Sequence, residues 1–129
     1  MTSAEQMLRR VRLELARDHE FPHGSTDHGY DFIAPLNDHG HIDVDAWKAL
    51  RERCRVRRFW GQEREEVGHI VHKHGREWAF HYDIHGDATR DEAGFRFDSH
   101  SFVPGEYVSI REQNGVRRTF RVHSVREIN

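Results

Sequence analysis

The clearest alternation of apolar and polar positions runs from Glu65 to His85, EEVGHIVHKHGREWAFHYDIH. Two alternating runs flank His74-Gly75, and glycine takes the positive φ of a tight turn at little cost, so the stretch reads as a β-hairpin. Successive strand side chains point to opposite faces. That places Trp78, Phe80, Tyr82 and Ile84 on one face and Glu77, Ala79, His81, Asp83 and His85 on the other. A two-residue turn pairs Val71 with Trp78, His69 with Phe80 and Val67 with Tyr82. A slip of one residue sets Val71 against Ala79 and mixes apolar with polar positions, so the first register is expected, with His69 turned inward.

Period-two patterns recur elsewhere. Tyr30, Phe32 and Ala34 alternate with Asp31 and Ile33, and Pro35 marks that run as an edge or short strand. Phe95 to Phe102 reads as a strand with Phe95 and Phe97 on one side and Arg96, Asp98 and His100 on the other. Pro104-Gly105 leads into a last hairpin. There a three-residue loop, Gln113-Asn114-Gly115, sets Val108 opposite Phe120 and Glu106 opposite Val122, which keeps Val108, Ile110, Phe120 and Val122 on one face.

Two stretches read as helices. From Ser3 to about His19, Met7, Leu8, Val11 and Leu15 fall at helical spacing, and Ser3 with Gln6 has the form of a capping box. From Asp43 to Cys54, Ile42 and Trp47 flank an Asp N-cap, and Val44, Trp47, Leu50 and Cys54 form the inward stripe. The segments Glu20–Gly29 and Gly86–Gly94 have loop composition. Runs of strand joined by hairpins with few helices predict a single α+β domain over residues 1–129. Its expected form is a bent antiparallel sheet or partly open small β-barrel of about five to seven strands, with an N-terminal helix and a second helix near 43–54.

Composition adds limits. The chain has 129 residues, enough for one modest core, and 33% of them are charged. Its net charge of −2 supplies no global attraction to nucleic acid or acidic membrane. Without a long apolar run or leader pattern, the expected place is the cytoplasm. One cysteine, Cys54, excludes an internal disulfide and a thiolate zinc cluster, and its place on the apolar stripe makes it a core residue. The segment NDHGHIDVDAW echoes half of an EF-hand loop, but Pro35 and Ala46 stand where the acidic ligands belong, so turn plus helix cap explains it. FVPGEYVSI and the β-run after it resemble the turn-and-strand segments of small SH3-like barrels, over the last quarter of the chain.

The candidate chemistry lies in the twelve histidines. His81, Asp83 and His85 project from one strand face about 6.5 Å apart, so two of them reach one ion. His100 would join them if the strand from Phe95 lies alongside, with Asp98 orienting a ligand and Arg96 binding an anionic substrate. Such a site suits a divalent transition metal: zinc, iron, nickel or manganese. A second group, His19, His23, His28, His39 and His41, flanks the first strand. Arg51, Arg53, Arg55, Arg57 and Arg58 form the most basic stretch and the one candidate nucleic-acid surface, which the acidic surplus elsewhere argues against. Exposed sheet edges would leave room for a homodimer. The first functional expectation is a small non-enzymatic binding or accessory domain for a protein or small ligand. The alternatives are the metal-dependent site, hydrolytic or oxidative, and nucleic-acid binding.

Overall fold

The computed structural model describes residues 3–73, 77–83, 91–95, 97 and 100–128. Among the described residues eight antiparallel strands follow one another in chain order: β1 (Leu8–Leu15), β2 (Ser25–Pro35), β3 (Arg55–Trp60), β4 (Glu66–His72), β5 (Trp78–Tyr82), β6 (Glu92–Phe95), β7 (Tyr107–Arg111) and β8 (Arg117–Glu127). Strands β1 and β8 pair from Arg9–Glu127 to Leu15–Phe120, which closes the meander into a barrel. The thinnest part of the wall is β6, joined to each neighbour through three residue pairs. Every strand has two partners, so the exposed edges on which dimerisation was argued are absent from the described barrel.

The molecule is therefore mostly β, with more strands than expected and less helix. The N-terminal helix is not formed. Ser3 and Gln6 do exchange the reciprocal bonds of a capping box, at 3.0 and 3.3 Å, but around a single 3-10 turn at Glu5–Met7. Beyond it Val11, Leu13 and Leu15 are buried and alternate with Arg12 and Glu14. A helix would have left Leu13 on the charged face, and period two buries all three. The second helix, α1 (Val44–Ala49), is shorter than expected and gives way to a 3-10 turn at Arg51–Arg53. Its cap is as read: the Asp43 carboxylate accepts from the Ala46 amide at 2.9 Å. Trp47 plugs the end of the barrel, with its indole N–H donating to the Ile70 carbonyl at 3.1 Å. Strand β2 begins inside the stretch of loop composition and runs to Pro35 with partners on both sides. Pro35 fits because it lies beyond the β3 pairing, which ends at Phe32.

The central hairpin takes the register that its alternation disfavoured. Val71 stands opposite Ala79, Ile70 opposite Phe80 and Gly68 opposite Tyr82. The turn closes between Lys73 and Glu77, whose backbones bond at 2.7 Å, rather than around two residues. Trp78, Phe80 and Tyr82 do face inward, but on β4 the inward residues are Gly68 and Ile70, while Val67 is 48% exposed and His69 lies outside beside His81. Gly68 explains the choice. A Cβ there would lie 2.0 Å from the His81 carbonyl oxygen, so the strands approach too closely for any other residue. The last hairpin has the expected register, Val108 opposite Phe120. The strand expected at Phe95–Phe102 instead occupies Glu92–Phe95, and Phe97 and Phe102 are buried beyond it.

Inward side chains fill the barrel. Phe32, Phe80, Phe97 and Phe102 pack at ring separations of 5.1 to 6.5 Å, and Tyr30 stands 5.1 Å from both Phe80 and Phe120. No helix among the described residues is long and apolar enough to cross a membrane.

Candidate functional site

At the end of the barrel carrying the β1–β2, β3–β4 and β7–β8 turns, the inward alternation continues onto charged residues. Glu112 follows Val108 and Ile110 at period two, Arg118 precedes Phe120 and Val122, and Arg58 follows Val56. Glu92 is carried inward opposite Phe80. Glu92, Glu112 and Arg118 are buried and Arg58 is half-buried. Two carboxylates and two guanidiniums are thus enclosed under an aromatic core, where burial is tolerable only with dense pairing.

The pairing is dense. Arg58 donates to Glu112 Oε2 through Nε at 3.2 Å and Nη2 at 2.7 Å. Arg118 Nε lies 2.7 Å from Glu112 Oε1, a close ion pair lacking hydrogen-bond alignment, while its Nη atoms reach Asp18 and Glu20 of the β1–β2 turn. The Trp60 ring meets both cations, with its centroid 4.4 Å from the Arg58 guanidinium and 5.3 Å from that of Arg118. Glu92 accepts from the Tyr30 hydroxyl at 3.1 Å, from the Tyr82 hydroxyl, and from the Gln113 amide at 3.2 Å. Arg58 comes no nearer to it than 3.7 Å, in the ion pair through Nε.

These surroundings set the protonation states. Burial pushes the Glu92 carboxyl up to about 7; the Tyr82 hydrogen bond and the Arg58 charge oppose the rise, and Glu112 adds to it. Burial, with the nearby carboxylates, also holds the Tyr30 and Tyr82 hydroxyls well above their ordinary range, so both remain donors. Arg58 is raised through its Glu112 partner against the opposing effect of burial. Glu92 is thus an acid that changes charge near neutrality, next to a carboxylate held by two arginines.

A cleft of about 850 Å³ opens over this group, with Glu92, Glu112 and Arg58 on its floor and Glu66 and Gln113 on its wall. Gln113 Nε2 donates to Glu66 Oε2 at 3.0 Å. The rim carries Glu63 and Arg64 from the β3–β4 turn, and Asp83 from the end of β5.

The residues expected at a metal site are arranged differently. His81 Nδ1 lies 2.7 Å from Asp91, and Asp83 pairs with Arg55 at 3.0 Å and His69 at 3.1 Å. His100 is half-buried in the segment after β6 and is not on a strand beside His81. His85, Arg96 and Asp98 lie outside the described residues. Among the described residues no three His, Cys, Asp or Glu side chains stand together in a metal-holding arrangement. The flanking histidines divide between the two ends of β2. His28 bonds Ser25 at 2.7 Å at one end, and His41 meets Ser101 at 3.2 Å at the other.

The basic stretch is largely neutralised. Arg53 pairs with Glu5, Arg55 with Asp83, Arg57 with Asp31 and Glu65, and Arg58 with Glu112, while Arg51 lies over the Trp47 ring at 4.7 Å. Cys54 is buried, and burial pushes its thiol up to about 11, so it is a core residue without nucleophilic character.

Comparison with protein-family models, with curated proteins and with solved structures finds no match to this chain. The site is therefore judged on its geometry. The sequence reading missed Glu92, Glu112 and Arg118, and placed Arg58 on a surface. The usable signal was the continuation of period two from Val108–Ile110 to Glu112 and from Val122–Phe120 back to Arg118, two opposite charges on adjacent strands at one barrel end.

Proposed function

We propose that this chain is a small non-enzymatic binding domain that takes a small cationic ligand, an amine or guanidine, in the cleft over Glu92 and Glu112. The observation that carries this reading is the acid surplus of the cleft. Glu63, Glu65, Glu66, Asp83, Glu92 and Glu112 line it against Arg58 and Arg64, and even with Glu65 and Asp83 paired to Arg57 and Arg55 outside it, four carboxyls face two guanidiniums. A buried carboxyl that titrates near neutrality costs stability, and such groups concentrate at functional sites. A cation seated above Glu92 would favour its ionised form, so binding would expel a proton.

The test is an isotope-edited NMR titration with n-butylamine and n-butylguanidine. Saturable shifts at the Glu66, Glu92 and Gln113 amides are expected, weakened by Glu63→Gln on the rim and Glu66→Gln on the wall. Calorimetry in two buffers of different ionisation enthalpy should show proton release at pH near 7. Absence of saturable shifts at those amides would refute the proposal.

A further inference from the structure

A second groove, of about 550 Å³, lies on the outer wall where β1 and β2 separate. The β1–β2 pairing jumps there from Glu14–Gly29 to Leu15–Ser25, and the turn between them leaves space bounded by Ala16–Arg17, His23–Thr26 and the outer faces of β7 and β8. Across that wall Glu14, Arg121 and Tyr107 stand directly opposite one another on β1, β8 and β7.

We propose that this groove binds a phosphate monoester carried on a flat ring, with the oxyanion on Arg17 and Arg121 and the ring on Tyr107. Charge makes the first argument. Arg12, Arg55, Arg57, Arg58 and Arg118 are all committed to carboxylates. Arg17 and Arg121 are not: neither makes an ion pair or a side-chain hydrogen bond with any described residue. The carboxylate in the groove, Glu14, is already taken by Arg12 at 2.8 Å and His123 at 3.4 Å. Two free guanidiniums, His23 and the hydroxyls of Thr26 and Thr119 therefore share a groove with no uncommitted acid among its described residues. Guanidinium offers forked donors that match phosphate oxygens.

Fixation makes the second argument. The backbone is held on both sides of Arg17. The Ala16 amide donates to the Thr119 carbonyl at 3.0 Å, and the Asp18 amide to the Phe21 carbonyl at 3.0 Å. The Asp18 carboxylate in turn accepts from the Glu20 and Phe21 amides at 2.9 and 2.8 Å and is tied to Arg118 in the barrel wall. A cation on an anchored turn loses less freedom on binding than one on a loose loop. Tyr107 completes the site: it is 54% exposed and lies across from Arg121, so its ring offers a stacking face beside the charge.

The experiment titrates phenyl phosphate, inorganic phosphate and phenol into labelled protein and follows the amides of Arg17, Thr26, Tyr107 and Arg121. Phenyl phosphate should saturate those shifts at lower concentration than phosphate, with phenol weakest. Arg17→Ala and Arg121→Ala should each weaken phenyl phosphate about tenfold, the effect of one lost charge-assisted contact. Tyr107→Ala should abolish the advantage of phenyl phosphate while leaving phosphate binding unchanged. All three side chains are exposed, and unchanged urea midpoints would confirm intact folds. Unaltered affinity in both arginine variants overturns the oxyanion site, and equal binding of phenyl phosphate and phosphate overturns the ring. A single-stranded oligonucleotide that binds more tightly than phenyl phosphate, with steep salt dependence, would replace the small-ligand assignment with nucleic-acid binding.

Discussion

The Tyr82 hydroxyl donates to Glu92 Oε1 inside the barrel, and the Tyr30 hydroxyl reaches the same oxygen from the opposite wall at 3.1 Å. One carboxyl oxygen thus joins β2, β5 and β6. The arrangement has a pH dependence of unusual sign. Burial places the Glu92 carboxyl at about 7 in the folded chain against an ordinary 4.5. Between those values the folded state holds a proton that the unfolded chain has released, so stability from this group is complete below the lower value and declines as pH rises through the upper one. The gap corresponds to about 3 kcal/mol. Glu92→Gln, which cannot ionise, should remove that decline. Urea unfolding of both proteins from about pH 5 to about pH 8 isolates it, because the histidines titrate alike in each. Parallel curves would show that Glu92 is not the titrating group.

Glu112 depends on Arg118. With that guanidinium removed, Glu112, Asp18 and Glu20 lose a shared partner, and Glu112 stays buried with Arg58 as its one cation and the Tyr30 hydroxyl at 3.4 Å. Arg118→Ala should therefore lower the unfolding free energy by about 3 kcal/mol, as for other broken buried pairs. The urea midpoint measures it. A loss as small as that of an exposed ion pair, about 0.5 kcal/mol, would mean that water readily replaces the arginine.

Much of the sheet was legible because one face of each strand is apolar. Tyr30, Phe32 and Ala34, the inward row of β5, and the β7–β8 register all follow from period two. The errors have physical causes. Met7, Val11 and Leu15, four residues apart, satisfy a helical spacing as well as a strand spacing, and the burial of Leu13 decides between them. The site was illegible for a different reason. Apolar alternation predicts polar residues outside, whereas Glu112, Arg118 and Arg58 continue the inside row and are tolerated there because they neutralise one another. The outward His81 and Asp83 looked like chemistry from spacing alone, yet across the strands they meet Asp91, Arg55 and His69.

The hairpin register can be tested at Gly68. Opposite Tyr82, an added methyl meets the His81 carbonyl oxygen at 2.0 Å and the Tyr82 Cα at 2.7 Å, both of them backbone atoms. Gly68→Ala should cost about 2 kcal/mol or more, because the strands must part to admit it. In the alternative register Gly68 would lie on the outer face, where alanine is harmless. A thermal midpoint within the range of ordinary surface substitutions, about 0.5 kcal/mol, would favour that alternative.

The first strand offers the sharpest contrast between two foldings of one segment. In the barrel Leu13 is fully buried between β2 and β8, opposite Tyr30 and Val122, while Met7 sits half-buried on the 3-10 turn. Leu13→Ala should cost about 3 kcal/mol through lost burial and the cavity left behind. Met7→Ala should cost less, because part of its surface stays in water and the site can relax on truncation. An amphipathic helix over the same residues reverses the order: Met7 would lie on the apolar stripe and Leu13 among the arginines. Equilibrium unfolding of the two variants, with equal denaturant slopes, decides the matter. A greater loss for Met7→Ala than for Leu13→Ala would contradict the closure of the barrel by β1 and β8.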